Sequence, residues 1–205
     1  MADFPKSLII ACGALAHELT AVIKRSGWTH LEIQCLPARL HNTPQKITGA
    51  VLAKIQTARG RYRNIYVAYA DCGTGGRLDD MLAREGVERI GGNHCYEFFA
   101  GTAVFEALSE AEPGTFYLTD YLARHFDRLI MRDMGIEAHP ELQSVYFGNY
   151  KRLVFLSQGR DEALLEKARS AARRLGLEFE HRFTGLEPFR KALRNIDPEH
   201  LPWPN

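Results

Sequence analysis

The sequence predicts an α/β protein built on a mostly parallel, doubly wound, Rossmann-like sheet of six or seven strands with helices on both faces. Three observations predict it. Short apolar runs of strand length alternate with longer segments whose apolar residues recur at helical spacing. Glycines stand where one kind of segment gives way to the next, at Gly13, Gly27, Gly86 and Gly176. Nothing in the chain reads as a linker, and parallel neighbours need crossover helices of the kind this alternation supplies. The expectation is a single α/β domain over 1–197 with a proline-rich tail at 198–205.

Leu8 to Ala11 is the first strand, Cys12-Gly13 its exit, and Leu15, Leu19, Val22 and Ile23 mark one face of a helix that Gly27 stops. Leu31 to Leu36 alternates Leu31, Ile33 and Cys35 with Glu32 and Gln34, so it is the second strand, with Cys35 expected to pack as a small hydrophobe. A connection through His41 reaches Thr43-Pro44, a cap followed by proline at the first helical position, and Ile47, Val51, Leu52 and Ile55 carry the helix. Asn64 to Ala70 is the third strand and runs straight into Asp71-Cys72-Gly73-Thr74-Gly75-Gly76; Leu78, Met81 and Leu82 follow on a helix closed by Gly86. Val87 to Ile90 is the fourth, its exit Gly91-Gly92-Asn93-His94-Cys95, and Tyr96 to Ser109 reads as one strongly apolar helix.

Thr115 to Leu118 is the fifth strand, and Thr119 caps a helix bearing Leu122, Phe126, Leu129 and Ile130. Residues 136–151 are irregular or short-helical, and their aromatic run, Tyr146 to Tyr150, is expected to wall a pocket or line a contact in a homo-oligomer. Leu153 to Leu156 is the sixth strand. Leu164, Leu165, Ala168, Ala171 and Leu175 face one side of the next helix, which ends at Gly176. Leu177, Phe179, His181 and Phe183 then alternate with charged residues as a half-exposed edge strand does.

Composition limits the partners. With 45% hydrophobic and 25% charged residues the chain has enough apolar surface to fold, and a net charge of +1 supplies no field to hold nucleic acid or an anionic membrane. The N-terminus lacks a basic stretch followed by a long apolar run, so the protein is expected to be unexported and cytoplasmic, with reduced thiols. Four cysteines in 205 residues are too few for a disulfide scaffold, so their placement carries the information.

In an open α/β sheet, ligands bind beyond the carboxyl ends of the strands. Cys12, Cys72 and Cys95 all fall at strand exits that turn into helices, where the helix terminus is expected to favour thiolate over thiol. His41 and His94 lie on exits at the same end and are the candidate fourth partners. Three sulfurs and an imidazole suit zinc, with iron as the second choice, at a four-coordinate site whose ligands are Cys12, His41, Cys72 and Cys95. A small thiol, a methyl donor or a corrinoid are chemically suited guests. Gly13, Gly73, Gly75 and Gly76 would let the backbone approach such a cofactor; they fit neither the dinucleotide fingerprint nor the P-loop, and Asp79 and Asp80 would repel phosphate. His94 and Glu97 are candidates to move a proton, with Glu18 a further carboxylate after Cys12. No Gly-x-Ser-x-Gly elbow and no His-Glu-x-x-His pair is present.

The strings Ile10-Ala11-Cys12-Gly13-Ala14-Leu15, Leu40-His41-Asn42-Thr43-Pro44, Tyr69-Ala70-Asp71-Cys72-Gly73-Thr74-Gly75-Gly76 and Asn93-His94-Cys95-Tyr96-Glu97 together carry a resemblance. Over nearly its whole length the chain resembles an uncharacterised bacterial and archaeal domain family known mainly as a domain of unknown function. Some members are encoded near corrinoid-dependent methyltransferases for methylamines. The resemblance puts the family's Cys-Gly, Leu-His-Asn and His-Cys elements on Cys12, His41, Cys72 and Cys95, and it implies methyl-group or corrinoid-linked one-carbon metabolism.

The expected function is a metal-binding protein in that metabolism, a metal-dependent transferase in its enzymatic form, acting on a small molecule or with a corrinoid protein. A non-catalytic module that holds or delivers a cofactor in the same crevice is the alternative. A cysteine nucleophile or redox pair without metal is the third.

Overall fold

The computed structural model describes residues 6–194. The tail expected at 198–205 therefore lies outside the described residues. The chain divides into two compact units, one that runs to Cys95 and takes in the chain again from Phe189, and another formed by Tyr96–Pro188. Among the described residues no helix is long and apolar enough to cross a membrane.

In the first unit, β1 (Ser7–Cys12), β2 (Leu31–Leu36), β3 (Ile65–Ala68) and β4 (Glu88–Arg89) pair in parallel in the order β2-β1-β3-β4. β1 is flanked on both edges, and Leu8, Ile9, Ile10 and Ala11 are all buried, which is why it reads as an unbroken apolar run. The crossovers carry α1 (Ala16–Ser26), α2 (Ile47–Ala58) and α3 (Arg77–Glu85), which bury Leu19, Val22, Val51, Ile55, Leu78 and Leu82. The spacing of those residues is the three- and four-residue recurrence seen in the sequence.

The second unit contains β5 (Thr115–Thr119), β6 (Arg152–Ser157) and β7 (Glu178–Phe183), parallel in the order β5-β6-β7. Its helices are α4 (Tyr96–Ala100), α5 (Thr102–Ala111), α6 (Asp120–Arg124), α7 (Leu142–Phe147) and α8 (Glu162–Leu175). Leu118, Phe126, Ile130, Leu153, Phe155, Leu164, Ala168 and Ala171 form its core. A last helix, α9 (Glu187–Arg194), buries Phe189 and Leu193.

The mixed α/β class with parallel strands stands as expected; among the described residues the strands form one ladder of four and one of three rather than a single sheet of six or seven. β4 is two residues long and pairs with β3 alone, while β5 opens a separate ladder with β6. Local periodicity encodes a strand but not its partner, so the division left no mark in the pattern.

The helix expected over Tyr96–Ser109 is broken at Gly101, whose φ of 82° and ψ of 144° suit glycine alone. The segment after Thr119 also departs from one regular helix. The Thr119 hydroxyl accepts from the Leu122 amide at 3.5 Å as a cap should, but α6 is short and Asp127–Arg132 winds as a π-helix. Thr43 makes no side-chain cap, and Pro44 opens a separate 3-10 turn, Pro44–Lys46, ahead of α2. Cys35, expected to pack inside its strand, is exposed, because β2 is the edge of its sheet. In the aromatic run, Phe147 is buried with its ring 5.1 Å from that of Phe116, and it lines a surface groove of about 340 Å³ with Pro140, Gln143 and Leu175.

Candidate functional site

The order β2-β1-β3-β4 sets the exits of β1, β3 and β4 side by side, with the exit of β2 beside that of β1. The chain turns in opposite directions from β1 and β3, so the crevice between their carboxyl ends is the topological switch point where such sheets take ligands. Cys12 ends β1, opposite Leu36 of β2. The β1–β3 register ends at Ala11↔Ala68, and one further step sets Cys12 beside Tyr69. Between β3 and β4 the pairs are Tyr66↔Glu88 and Val67↔Arg89. Two backbone bonds beyond the strands, Asp71 N–H to Gly92 O at 3.3 Å and Cys72 N–H to Asn93 O at 3.2 Å, carry that alignment on to the cysteines.

The loop after β3 is organised by one carboxylate. Asp71 accepts from the Thr74 hydroxyl, from Gly75 N–H at 3.0 Å and from Gly76 N–H at 2.9 Å. Burial works against the ionised Asp71, but these donors together hold its carboxyl below the usual carboxylate range. This Asx-type turn sends the backbone through a left-handed bend in which Cys72, at φ 48°, is the one non-glycine residue of positive φ among the described residues. Arg89 fastens the facing loop: it pairs with Asp79 at 2.5 and 2.8 Å and donates to Ile90 O and Gly92 O at 2.8 and 3.0 Å.

The sulfurs are not equivalent. The Cys95 thiol donates to the Cys72 sulfur, and this bond, against the cost of burial, combines with a hydrogen bond from His41 and the charge of His94 to hold Cys72 far below the usual thiol range. The same Cys72–Cys95 bond, with burial, holds Cys95 protonated. Burial pushes Cys12 up to about 11, although the Ala14 amide and the Tyr69 hydroxyl both donate toward it. Of the three exits expected to favour thiolate, the surroundings of Cys72 favour it and those of Cys12 and Cys95 favour the thiol. Cys12 precedes the 3-10 turn Gly13–Leu15, which runs on into α1, and burial outweighs what that helix terminus and the Ala14 amide supply. Cys95 gives up ionisation to its partner, since adjacent sulfurs do not both bear charge in a buried site.

The imidazoles complete the cluster. The His41 and His94 rings stand edge to face with centroids 5.5 Å apart, and His94 Nδ1 is 3.7 Å from the Cys95 sulfur. His41 is exposed on the 3-10 turn Ala38–Asn42, whereas Cys72 is 7% exposed. The structure therefore gathers Cys12, His41, Cys72, His94 and Cys95 at one end of one sheet. Glu97 stands in the first turn of α4, in the second unit, and Glu18 is buried on α1.

The glycines also shape the loops that carry the cysteines. A Cβ on Gly13 would stand 3.0 Å from Leu36 O, so this glycine lets the β1 exit pack on that of β2. Gly73 faces Pro44 in the same way, with a Cβ 3.4 Å from its ring, and the amides of Gly75 and Gly76 are taken by Asp71.

The donor chemistry suits zinc, but the placement is not that of a bound ion: among the described residues no group of three or more His, Cys, Asp or Glu could hold a metal as it stands.

A family model described as "Protein of unknown function (DUF1638)" matches residues 35–193. The chain belongs to this family. The matched span of DUF1638 includes His41, Cys72, His94 and Cys95, whereas Cys12 and Gly13 lie ahead of it. No curated protein and no solved structure matches the chain.

Two participants escape sequence reading. Tyr69 is 2% exposed, its hydroxyl faces Cys12 without an oxygen or nitrogen partner among the described residues, and burial pushes its ionisation far above the usual tyrosine range. Its position becomes visible only when the β1–β3 register is known. Asp71 did carry a local signal, the Asp-x-x-Thr-Gly-Gly spacing of an Asx turn.

Proposed function

We propose that this chain performs thiolate chemistry at the carboxyl end of its first sheet, with Cys72 as the electron-pair donor toward a small electrophile. The observation that carries the reading is the convergence of two hydrogen-bond donors, the Cys95 thiol and His41, on the sulfur of a strained residue at the switch point. In a transfer reaction the Cys72 sulfur would attack an alkyl or acyl carbon. The new S–C bond forms as the bond to the leaving group breaks, and the departing electron pair takes a proton from an imidazole N–H. Alkyl carbon is a soft electrophile suited to sulfur, which agrees with the methyl-group and corrinoid-linked context that the family resemblance implies.

Limited alkylation with iodoacetamide at pH 6, read by peptide mass spectrometry, tests the proposal. Cys72 labels first. Preferential labelling of exposed Cys35, with Cys72 inert, would overturn it.

A second reading assigns the same sulfur to zinc, or less readily to iron. The Cys95 sulfur and His94 Nδ1, 3.7 Å apart, match the roughly 3.6 Å separation of a sulfur and a nitrogen sharing one tetrahedral zinc. Cys72 and Cys95, with His41 or His94 and Cys12, would hold the ion after side chains turn inward, and it would serve as a Lewis acid toward a substrate thiol or methyl donor. Elemental analysis of untagged protein against its Cys72→Ser variant decides this: stoichiometric metal lost on substitution supports zinc. A cobalamin spectrum that shifts without consumption of a methyl donor would favour the delivery module instead.

A further inference from the structure

We infer that Cys72 and Cys95 are a reversible dithiol–disulfide pair, oxidised by a hydroperoxide, with Cys72 the attacking sulfur and Cys95 the resolving one. The inference rests on the reading of Cys72 as the site's nucleophile and adds a reaction to it.

Geometry carries the argument. The β3–β4 register, Tyr66↔Glu88 and Val67↔Arg89, continued through the bonds Asp71 N–H to Gly92 O and Cys72 N–H to Asn93 O, sets Cys72 beside His94, with Cys95 the next residue. The loops that carry the two cysteines are thus joined backbone to backbone, as a bridge spanning roughly 4.4–6.8 Å between Cα atoms requires. The Cys95 thiol bonds the Cys72 sulfur, so closing the bridge draws together, to about 2.05 Å, two sulfurs that already face one another. Both loops are held from outside the pair, one by the Asp71 carboxylate and the other by Arg89. Cys12 is placed differently, with Tyr69 across the β1–β3 ladder and in line with it.

The chemistry balances in two steps. The Cys72 sulfur attacks one oxygen of the hydroperoxide; an S–O bond forms, the O–O bond breaks, and the departing alkoxide or hydroxide is protonated, leaving Cys72 as a sulfenic acid. The Cys95 sulfur then attacks Cys72; the S–S bond forms, the S–O bond breaks, and the proton of Cys95, passed by way of His94 Nδ1 at 3.7 Å, leaves with the hydroxide as water. Two thiols and one hydroperoxide give a disulfide, an alcohol and water, and a thiol reductant reverses the bridge. Hydrogen peroxide, little larger than water, suits a sulfur as enclosed as Cys72.

The test uses the full chain with Cys35→Ser, to remove the exposed thiol. The reduced protein is treated with stoichiometric hydrogen peroxide, blocked with N-ethylmaleimide and mapped by mass spectrometry. The expected result is a Cys72–Cys95 cross-linked peptide pair that dithiothreitol dissolves. Adding Cys95→Ser replaces that pair with a sulfenic acid at Cys72, trapped by dimedone, which only excess peroxide carries on to sulfinic or sulfonic acid. A Cys12–Cys72 bridge, or no bridge at all, overturns the inference. If Cys72 still alkylates first in that sample, only the inference fails; if it does neither, the thiolate reading falls with it. Should Cys95→Ser misfold by circular dichroism, the bridge mapped in the parent chain decides alone.

Discussion

At the carboxyl end of the second sheet, polar groups answer one another. Asp120 accepts from the amides of Gln158 at 3.1 Å and Gly159 at 2.9 Å, its own amide donates to Gln158 Oε1 at 3.0 Å, and Ser157 bonds His181 at 2.8 Å. At the corresponding end of the first sheet stand a non-glycine residue in left-handed backbone, a buried tyrosine hydroxyl that faces the Cys12 sulfur, and thiols bonded to one another. Such a backbone costs about 1 kcal/mol or more, and sulfur returns little as a donor or acceptor to the hydroxyl and thiols that face it. Hydrogen bonds between oxygen and nitrogen groups thus close the carboxyl ends of the strands in one sheet, while sulfur and a strained backbone occupy them in the other. That contrast, more than the mere presence of cysteines, marks the first sheet as the reactive one.

The widest separation is expected among the thiols themselves. At pH 6, alkylation of Cys72 outpaces that of Cys12 by on the order of 10²-fold, because a thiolate reacts and a thiol does not, even after the lower nucleophilicity of a weakly basic sulfur is counted. The pH profile is more telling than the ratio. From pH 6 to 9 the Cys72 rate stays flat, its ionisation being already complete, while the Cys12 rate climbs about tenfold per unit toward its value of about 11. Site-resolved labelling kinetics would show parallel slopes at both residues if the two sheet ends were alike.

His41→Ala should narrow that gap. Loss of its N–H bond to the Cys72 sulfur raises the Cys72 ionisation by about one unit, the scale of one charge-assisted hydrogen bond, and brings the lower limb of its labelling profile to higher pH. His181→Ala, which removes the corresponding imidazole of the second sheet from Ser157, leaves every thiol profile unchanged. An equal shift from both would mean that the effect is global softening.

The two acidic anchors respond oppositely to pH. Asp71 is held low by its three donors, so its contribution to stability is present above the unfolded aspartate value and lost as pH falls through the folded one. Asp120 is pushed up, chiefly by burial against the amides of Gln158 and Gly159, so its folded form favours the protonated acid and stability declines as pH rises through its range. Urea midpoints of Asp71→Asn and Asp120→Asn, measured against the parent from pH 3 to 7, should diverge from it in opposite directions as pH changes. The truncation Asp120→Ala, which orphans two amides, costs about 1–3 kcal/mol.

Much of the fold was legible because each strand and helix is a local event. The buried run of β1, the alternation of β7 and the Thr119 cap all depend on residues a few positions apart. The split into two ladders was not, since the choice of β6 over β4 as the partner of β5 is made by tertiary packing. The site was legible to the same depth. Strand-exit position marked Cys12, Cys72 and Cys95, and the chain could not say which would ionise: burial, the donors that reach each sulfur and a shared proton decide that, and these depend on neighbours distant in sequence. The exposure of Cys35 has the same origin, for an edge strand and a central one share the same alternation.

The smallest expected effect is at Ser157. Its hydroxyl is buried and bonded to the ring of His181, on a strand whose far side is exposed, so Ser157→Ala removes one hydrogen bond and leaves an imidazole free to meet water. The cost is about 1 kcal/mol of stability, read as a lower urea midpoint with unchanged slope. A serine–histidine pair at a strand exit has the elements of a nucleophile, yet this hydroxyl is closed off, and the described residues give the His181 ring its Ser157 bond and the face of Phe155 rather than an orienting carboxylate. If organophosphate treatment labelled Ser157, or if Ser157→Ala altered substrate turnover without moving the midpoint, the second sheet would be chemically active as well, and the contrast between the two sheet ends would fail.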